Sequence, residues 1–169
     1  VPAVRTPLAE TPAQPGTLSR VAGEMPQRLV LPSLRVDAPI VPVQTLADGS
    51  LAVPANPAVL GWWSDGAHPG GGRGSVVIDG HVDSAAEGPG ALFHLRDLRP
   101  GDPVTLRTDH ESRSYAIAAV RSYPKASLPA EVFDTTGAPR LIIITCGGAF
   151  TKQTRQYSDN IVAYAVPAS

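Results

Sequence analysis

The sequence predicts a mostly β protein built around a closed or nearly closed barrel. Short runs of β-branched residues recur with turn signals between them, and helical periodicity is almost absent. Pro and Gly number 18 and 16 among 169 residues, which makes the chain rich in turns, while aromatic residues are only 5%. This length suits a single folded domain with room for a sizeable core.

Two regions of the chain differ in composition. Residues 1–26 are rich in Pro, Ala and Thr without an apolar period, which predicts an N-terminal arm or linker with one short helix over 18–25. Residues 27–169 carry the strand patterns of the barrel domain. Their first apolar stretch is interrupted by Pro32, Pro39 and Pro42, which predicts short strands at sheet edges joined by a turn.

Further elements follow from strand patterns and turn signals. The predicted elements are strands over residues 50–53, 75–79, 102–108, 111–123 and 160–166, and one helix over residues 90–98. Trp62 and Trp63 are adjacent, so they cannot both face one core from a strand. We therefore expect one of them to cover the surface or line a groove.

The central predicted strand covers residues 140–146. Its continuous apolar run, Leu141–Ile144, predicts burial on both faces of a sheet. The run leads to Cys146, the only cysteine of the chain, and a long polar loop is expected before the last strand. A thiol at the end of a buried strand, followed by glycines that let a substrate approach, is a candidate nucleophile. Free cysteine often only packs in a core, so both interpretations stay open at this point.

A cysteine nucleophile needs a basic or cationic partner to become a thiolate. His81 is the strongest of the four histidines because it follows a predicted buried strand, as Cys146 does. Asp83, two residues later, would orient the imidazole or cap the turn. Arg155 is the one arginine after Cys146, and it is either a ligand for a developing oxyanion or an ordinary surface residue.

Composition and spacing argue against several other functions. The net charge of −1 and the scattered basic residues give no reason to expect nucleic acid as a partner. One cysteine and dispersed histidines form no zinc-binding pattern, and no loop collects carboxylates at calcium-ligand spacing, so we expect no metal and no cofactor. The glycine-rich segment 70–74 lacks the Lys-Ser/Thr of a phosphate-binding loop, and no Gly-x-Ser-x-Gly motif is present.

Three motifs stand out along the chain: Gly80-His-Val-Asp83, Ile144-Thr-Cys-Gly-Gly148 and Tyr157-Ser-Asp-Asn-Ile-Val162. In combination they resemble the sortase family, most closely the class F sortases of actinobacteria, and the resemblance covers residues 27–166. The family implies a closed eight-stranded β-barrel with one or two short helices and a cysteine transpeptidase activity. Such an enzyme cuts a sorting signal similar to Leu-Pro-any-Thr-Gly and passes the thioacyl product to an amine on peptidoglycan or a pilin subunit.

The resemblance also implies roles for individual residues. Cys146 would be the nucleophile, His81 the acid and base that protonates the leaving amine, and Arg155 the residue that binds the oxyanion or positions substrate. Three neighbours would bind substrate or support the site: Thr145, Asp83 and Gly147. The family often places its arginine in a Tyr-Arg-Asp-Asn step where this sequence has Ser158, so Arg155 would replace it from three positions upstream.

Partners and location follow from the same resemblance. We expect a monomer on the outer face of the cell membrane, held by an N-terminal anchor that lies outside this sequence. Its partners would be the sorting-signal peptides of secreted proteins and an amine acceptor, with membrane contact only through the anchor. The residues alone leave two alternatives: another exported cysteine acyl-transferase such as an L,D-transpeptidase, or a non-enzymatic cell-surface β-barrel module.

Overall fold

The computed structural model describes residues 23–168, and eight of its strands close into a barrel. Ten strands follow one another along the chain: β1 (Pro26–Leu31), β2 (Val36–Val43), β3 (Leu60–Trp63), β4 (Ser75–Asp79), β5 (Asp83–Ser84), β6 (Gly88–Pro89), β7 (Pro103–Thr108), β8 (Ser112–Pro124), β9 (Arg140–Thr151) and β10 (Gln156–Pro167). Around the barrel the order is β1, β2, β3, β4, β9, β10, β8 and β7, while β5 and β6 form a separate two-stranded sheet. The predicted closed eight-stranded barrel is confirmed.

The barrel wall separates two hydrophobic cores. Alternate side chains of β9, Leu141 and Ile143, fill the barrel interior. Their neighbours Ile142 and Ile144 belong to an outer core, which the connection between β8 and β9 covers with the buried Val132. The strands between the two cores, β4 and the first half of β9, are therefore buried on both faces, as their continuous apolar runs predicted.

Both adjacent tryptophans are buried. Trp62 lies in the barrel interior and Trp63 in the outer core, where its ring meets Phe133 edge-on at a centroid distance of 5.1 Å. The expectation that one of the two would cover the surface or line a groove is wrong. Successive strand residues do face opposite sides, but on this wall each side has its own core.

The proline-rich start of the domain does not lie at a sheet edge, contrary to the prediction. β2 pairs antiparallel with β1 through residues 36–39 and parallel with β3 through residues 40–43. Each half of β2 is therefore paired along one side only, and a missing N–H donor need not break a ladder. This change of partner accommodates Pro39 and Pro42 within a closed barrel.

The described residues contain no α-helix but four short 3₁₀ helices: Pro32–Leu34, Leu95–Asp97, Lys125–Ser127 and Ala130–Phe133. The helix predicted over 90–98 is thus replaced by turns over 91–94 and the 3₁₀ helix Leu95–Asp97. Leu92, Leu95 and Leu98 are all buried, and their spacing of three matches the period of a 3₁₀ turn. The helix predicted over 18–25 lies largely outside the described residues. Within 23–168, no helix has the length and apolar character needed to cross a membrane.

The last two strands are longer than predicted. β9 continues through Cys146 to Thr151, and a short turn replaces the expected long polar loop before β10. Strand pairing continues past the cysteine, because Gly147 pairs with Asp159. A register shift follows, and Gly148, with φ of 79°, supplies the left-handed backbone of this bulge. Farther upstream, the strand predicted over 50–53 is reduced to an isolated bridge.

Candidate active site

Cys146 and His81 are placed by two neighbouring parallel strands. β4 pairs with β9 in parallel, and the last residue of β4, Asp79, lies opposite Ile144. Extending this parallel register by two residues brings His81, just after the end of β4, next to Cys146 in the middle of β9. The two segments singled out by the sequence are therefore neighbours, although His81 and Cys146 are 65 positions apart in the chain.

Two hydrogen bonds join the end of β4 to the middle of β9. The Gly80 amide donates to the Ile144 carbonyl at 3.2 Å, and the Thr145 Oγ1 hydroxyl donates to the Gly80 carbonyl at 2.7 Å. Thr145 is buried, and its hydroxyl has this partner inside the barrel wall. This hydrogen bond holds the backbone immediately before His81, so Thr145 helps to position the histidine.

A cavity of about 750 Å³ opens at this end of the barrel. Cys146, His81, Asp83 and Arg155 all line it. The structure thus brings together on one surface the thiol, the imidazole, the carboxylate and the guanidinium that sequence reasoning singled out. Groups able to act as nucleophile, acid and cation share a space in which a substrate could bind.

Lys125 also lines the cavity, and no motif in the sequence indicated it. Its Nζ donates to the Cys146 Sγ at 3.1 Å. Cys146 is a free cysteine of intermediate exposure. Lys125 begins the 3₁₀ helix after β8, and β10 separates β8 from β9. Only the order of strands around the barrel brings the lysine to the sulfur, so its spacing in the chain could not have revealed the contact.

Asp83 interacts with Tyr157. The Tyr157 hydroxyl donates to Asp83 Oδ2 at 2.6 Å, and no hydrogen bond between Asp83 and His81 occurs in the described part of the chain. This bond, together with burial and the negative charges of Asp83 and Cys146, raises the pKa of Tyr157 to about 12. The phenol therefore stays protonated at neutral pH and ties the β5–β6 sheet to β10 beside the cysteine.

Arg155 reaches the cavity from the turn between β9 and β10. Its backbone has φ of 56°, in the left-handed region, and its amide donates to the Thr151 carbonyl at 2.7 Å. The side chain is exposed, and none of the ion pairs among residues 23–168 includes it. Ser158, the position where an arginine is often expected, lies in the bulge, and its Oγ accepts a hydrogen bond from the Ala149 amide at 3.0 Å.

Packing excludes a side chain at Gly147. A Cβ there would lie 2.5 Å from Cγ1 of Ile161 and 3.0 Å from a guanidinium nitrogen of Arg96. A larger residue at this position would therefore have to displace the buried Ile161 side chain of β10 and the Arg96 guanidinium. The role of Gly147 visible in the structure is to hold the strand after Cys146 in place.

The other three histidines lie away from this cavity. His68 packs edge-on against Trp62 in the loop before β4, and its Nδ1 lies 3.1 Å from the Glu24 carbonyl oxygen. His94 and His110 are exposed elsewhere on the surface. Across residues 23–168, no three His, Cys, Asp or Glu side chains are grouped as they would be in a metal site.

A buried carboxyl lies close to the site. Asp79 is 4% exposed, and its Oδ1 lacks a hydrogen-bond partner within the described chain. That oxygen packs against Gly61, where a Cβ would lie only 2.5 Å away. Burial raises the pKa of Asp79 to about 8, so the carboxyl is protonated at neutral pH. The sequence pattern placed Asp79 in a strand but carried no sign of this ionisation state.

Asp79→Asn is expected to remove a pH dependence of stability. Between about pH 4 and pH 8 the folded protein keeps a proton on Asp79 that the unfolded chain releases. The contribution of Asp79 to the free energy of unfolding is thus largest below about pH 4 and decreases by up to ~1.4 kcal/mol per pH unit as the pH rises towards 8, roughly 5 kcal/mol in all. Asparagine cannot ionise, so this slope should disappear in urea unfolding measured across the window. Equal slopes in variant and wild type would contradict the assignment.

A cysteine thiol and a histidine imidazole that line the same cavity are typical of enzymes that use a cysteine nucleophile on acyl groups. The sequence matches the family model described as "Sortase domain" over residues 29–168. The chain therefore belongs to the sortase family and is a cysteine transpeptidase. This membership sets aside both alternatives, the L,D-transpeptidase and the non-enzymatic barrel module.

Solved sortase structures share the fold at low sequence identity. A lid mutant of sortase A from Corynebacterium diphtheriae matches with a TM-score of 0.67 and 17% identity, covering 90% of this chain and 75% of that chain. Sortase C2 of pilus island 1 from group B Streptococcus matches with a TM-score of 0.65 and 16% identity, covering 84% and 73%. Sortase C-1 from Actinomyces oris gives the same four values. These likenesses show the fold alone, and a comparison with curated proteins finds no match.

Proposed function

We propose that this enzyme cleaves a sorting signal similar to Leu-Pro-any-Thr-Gly between Thr and Gly and transfers the acyl fragment to an amine. The observation that carries the proposal is that Cys146 and His81 line one cavity, where β4 ends beside the middle of β9. The cavity volume of about 750 Å³ falls within the range of ligand sites. Val82 and Phe150 add apolar surface that suits the leucine and proline of such a signal.

In the proposed acylation, the Cys146 thiolate attacks the carbonyl carbon of the Thr–Gly peptide bond. A sulfur–carbon bond forms while the carbonyl π electrons move to oxygen. When the tetrahedral intermediate collapses, the carbon–nitrogen bond breaks and His81 gives a proton to the leaving amine. A thioester on Cys146 and a free peptide that begins with glycine result.

In the proposed transfer, an acceptor amine attacks the thioester and loses a proton to the neutral His81. A carbon–nitrogen bond forms, the carbon–sulfur bond breaks, and the thiolate is restored. The hydrogen bond from Thr145 to Gly80 supports this cycle because it holds both reactive groups on paired strands. Asp83 and Gly147 are proposed to contribute through the Tyr157 contact and through close packing.

Arg155 is proposed to bind the oxyanion or to position the sorting signal. Its place on the cavity and its exposed guanidinium support this role. Arg155→Ala is expected to lower kcat/KM for a sorting-signal peptide by roughly two orders of magnitude or more, as when one oxyanion donor is lost. Arg107→Ala, at an exposed position on β7, is the control. A loss of about tenfold or less would leave Arg155 a peripheral role.

The class and cellular setting form a further part of the proposal. The three motifs around His81, Cys146 and Asn160 favour class F. We place a monomeric enzyme on the outer face of the membrane, with residues 1–26 linking an anchor to the barrel domain of residues 27–169. Its partners would be secreted proteins that carry the signal and an amine on peptidoglycan or a pilin.

A peptide transfer assay tests the activity. The enzyme is incubated with a labelled peptide that contains Leu-Pro-Glu-Thr-Gly and with triglycine as the amine acceptor. The expected products are a conjugate joined at the threonine carbonyl and a released fragment that begins with glycine. A peptide with the Thr and Gly exchanged is the control and should stay intact. If both peptides remain uncut with enzyme in stoichiometric excess, the proposed substrate class is wrong.

A further inference from the structure

We propose that Lys125 holds Cys146 in its thiolate form through an ion pair between the lysine ammonium and the sulfur. The Lys125 Nζ lies 3.1 Å from Sγ, within hydrogen-bonding distance for a sulfur acceptor. The inference rests on the proposed function, since it explains how the nucleophile of that reaction becomes reactive before substrate binds.

The barrel's strand order creates this contact. β10 lies between β8 and β9, and its residue Asn160 pairs with Tyr123 on one side and with Cys146 on the other. Tyr123 packs against the outer core, as Ile144 does two residues before the cysteine. Tyr123 and Cys146 therefore share the outer face of the wall. Lys125 follows two residues after Tyr123, and its long side chain crosses β10 to reach the sulfur.

The backbone that carries Lys125 is anchored on both sides. The preceding residue, Pro124, is the last of β8 and pairs with Asp159 of β10. Downstream, Leu128 and Val132 are buried in the outer core. The lysine is thus presented from a fixed segment, which lowers the entropy lost when its ammonium is held at one place.

The charges around the sulfur favour an anionic Cys146. The cavity carries the cations Lys125, Lys152 and Arg155 but one carboxylate, Asp83, which already accepts the hydrogen bond from Tyr157. No ion pair among the described residues includes Lys125. An ammonium at this distance in a partly buried site stabilises a thiolate far more than a neutral thiol.

With this ion pair, Lys125 stabilises the thiolate and His81 handles only the proton of the amine. The thiol proton leaves to solvent before the sorting signal binds, so the sulfur–hydrogen bond is already broken when the sulfur attacks. Protonated His81 then supplies the proton for the leaving amine and recovers one from the acceptor amine. Protons balance over the cycle, and Lys125 keeps its own throughout.

Alkylation of Cys146 by iodoacetamide tests this pairing directly. The probe is uncharged, and the protein has one cysteine, so the rate as a function of pH reports the thiolate fraction at that sulfur. Lys125→Met is expected to lower the alkylation rate at neutral pH about tenfold and to move the pH profile to higher pH, because a neutral side chain no longer stabilises the thiolate. Lys125→Arg should stay within roughly threefold of wild type because it keeps the positive charge.

Two further variants make the test specific. Lys125→Gln is measured in parallel as a second neutral side chain, so that the result does not depend on one variant folding. Arg107→Met removes an exposed cation of β7 outside the cavity and should leave the alkylation profile close to that of wild type. A Lys125→Met or Lys125→Gln profile that coincides with wild type would overturn the inference, as would an equal shift in Arg107→Met.

Failure of this inference can be told apart from failure of the proposed function, because alkylation needs no peptide substrate. If wild type cuts the sorting signal while the neutral variants show no shift, the Lys125 inference alone is wrong. If the shift occurs but no peptide is cut, the ion pair stands and the proposed substrate is wrong.

Discussion

Cys146→Ala is expected to abolish both cleavage of the sorting-signal peptide and transfer to the amine, with no product above the background without enzyme. Alanine cannot form the thioester through which both halves of the proposed reaction pass. The fold should survive, because the sulfur lies at the half-exposed edge of the site and its loss costs about 1 kcal/mol or less. Chromatographic product analysis and urea unfolding measure the two effects. Residual turnover by the folded variant at even one hundredth of the wild-type rate would contradict the nucleophile assignment.

His81→Ala is expected to lower kcat/KM by roughly 10²–10⁴-fold, the usual contribution of a positioned acid–base group. The leaving amine would then depart without a proton donor, although the thiolate could still attack. His94→Ala is a matched control, because His94 is exposed outside the cavity and should retain wild-type turnover. Steady-state rates of peptide cleavage supply the comparison. A loss smaller than tenfold in His81→Ala would mean that another group protonates the leaving amine.

The strands that position these two residues were predictable from the sequence for a simple physical reason. Strands buried on both faces have continuous apolar runs, and β4 and β9 both carry one before they reach His81 and Cys146. Each run also marks where a strand delivers a polar residue to the sheet end. The candidate pair and its placement on buried strands follow from that pattern.

Features set by packing between distant strands were not predictable in the same way. The outer core around Trp63 depends on the path of the connection between β8 and β9, which no local pattern specifies. Likewise, the contact between Lys125 and Cys146 depends on β10 lying between β8 and β9. The burial of Asp79 depends on its approach to Gly61 across the β3–β4 pair.

Predictions from local sequence were also wrong where a glycine or a proline is compatible with two different local structures. Gly147 and Gly148 were expected to follow the end of the strand and to let a substrate approach, but they form a tightly packed ladder position and a bulge, so β9 continues beyond them. The prolines of β2 indicated sheet edges, yet a strand that changes partners halfway accepts them inside a barrel. In both cases tertiary pairing decided between the two uses.

The most direct test of the central claim is the mass of the enzyme during turnover. The protein is mixed with the Leu-Pro-Glu-Thr-Gly peptide without an acceptor amine, quenched in acid, and measured intact by mass spectrometry, with fragmentation to locate any adduct. The account predicts an added mass equal to the acyl fragment that ends at threonine, carried by Cys146 and released by hydroxylamine as a thioester would be. Cleaved peptide with no adduct on Cys146, or an adduct on another residue, would contradict it.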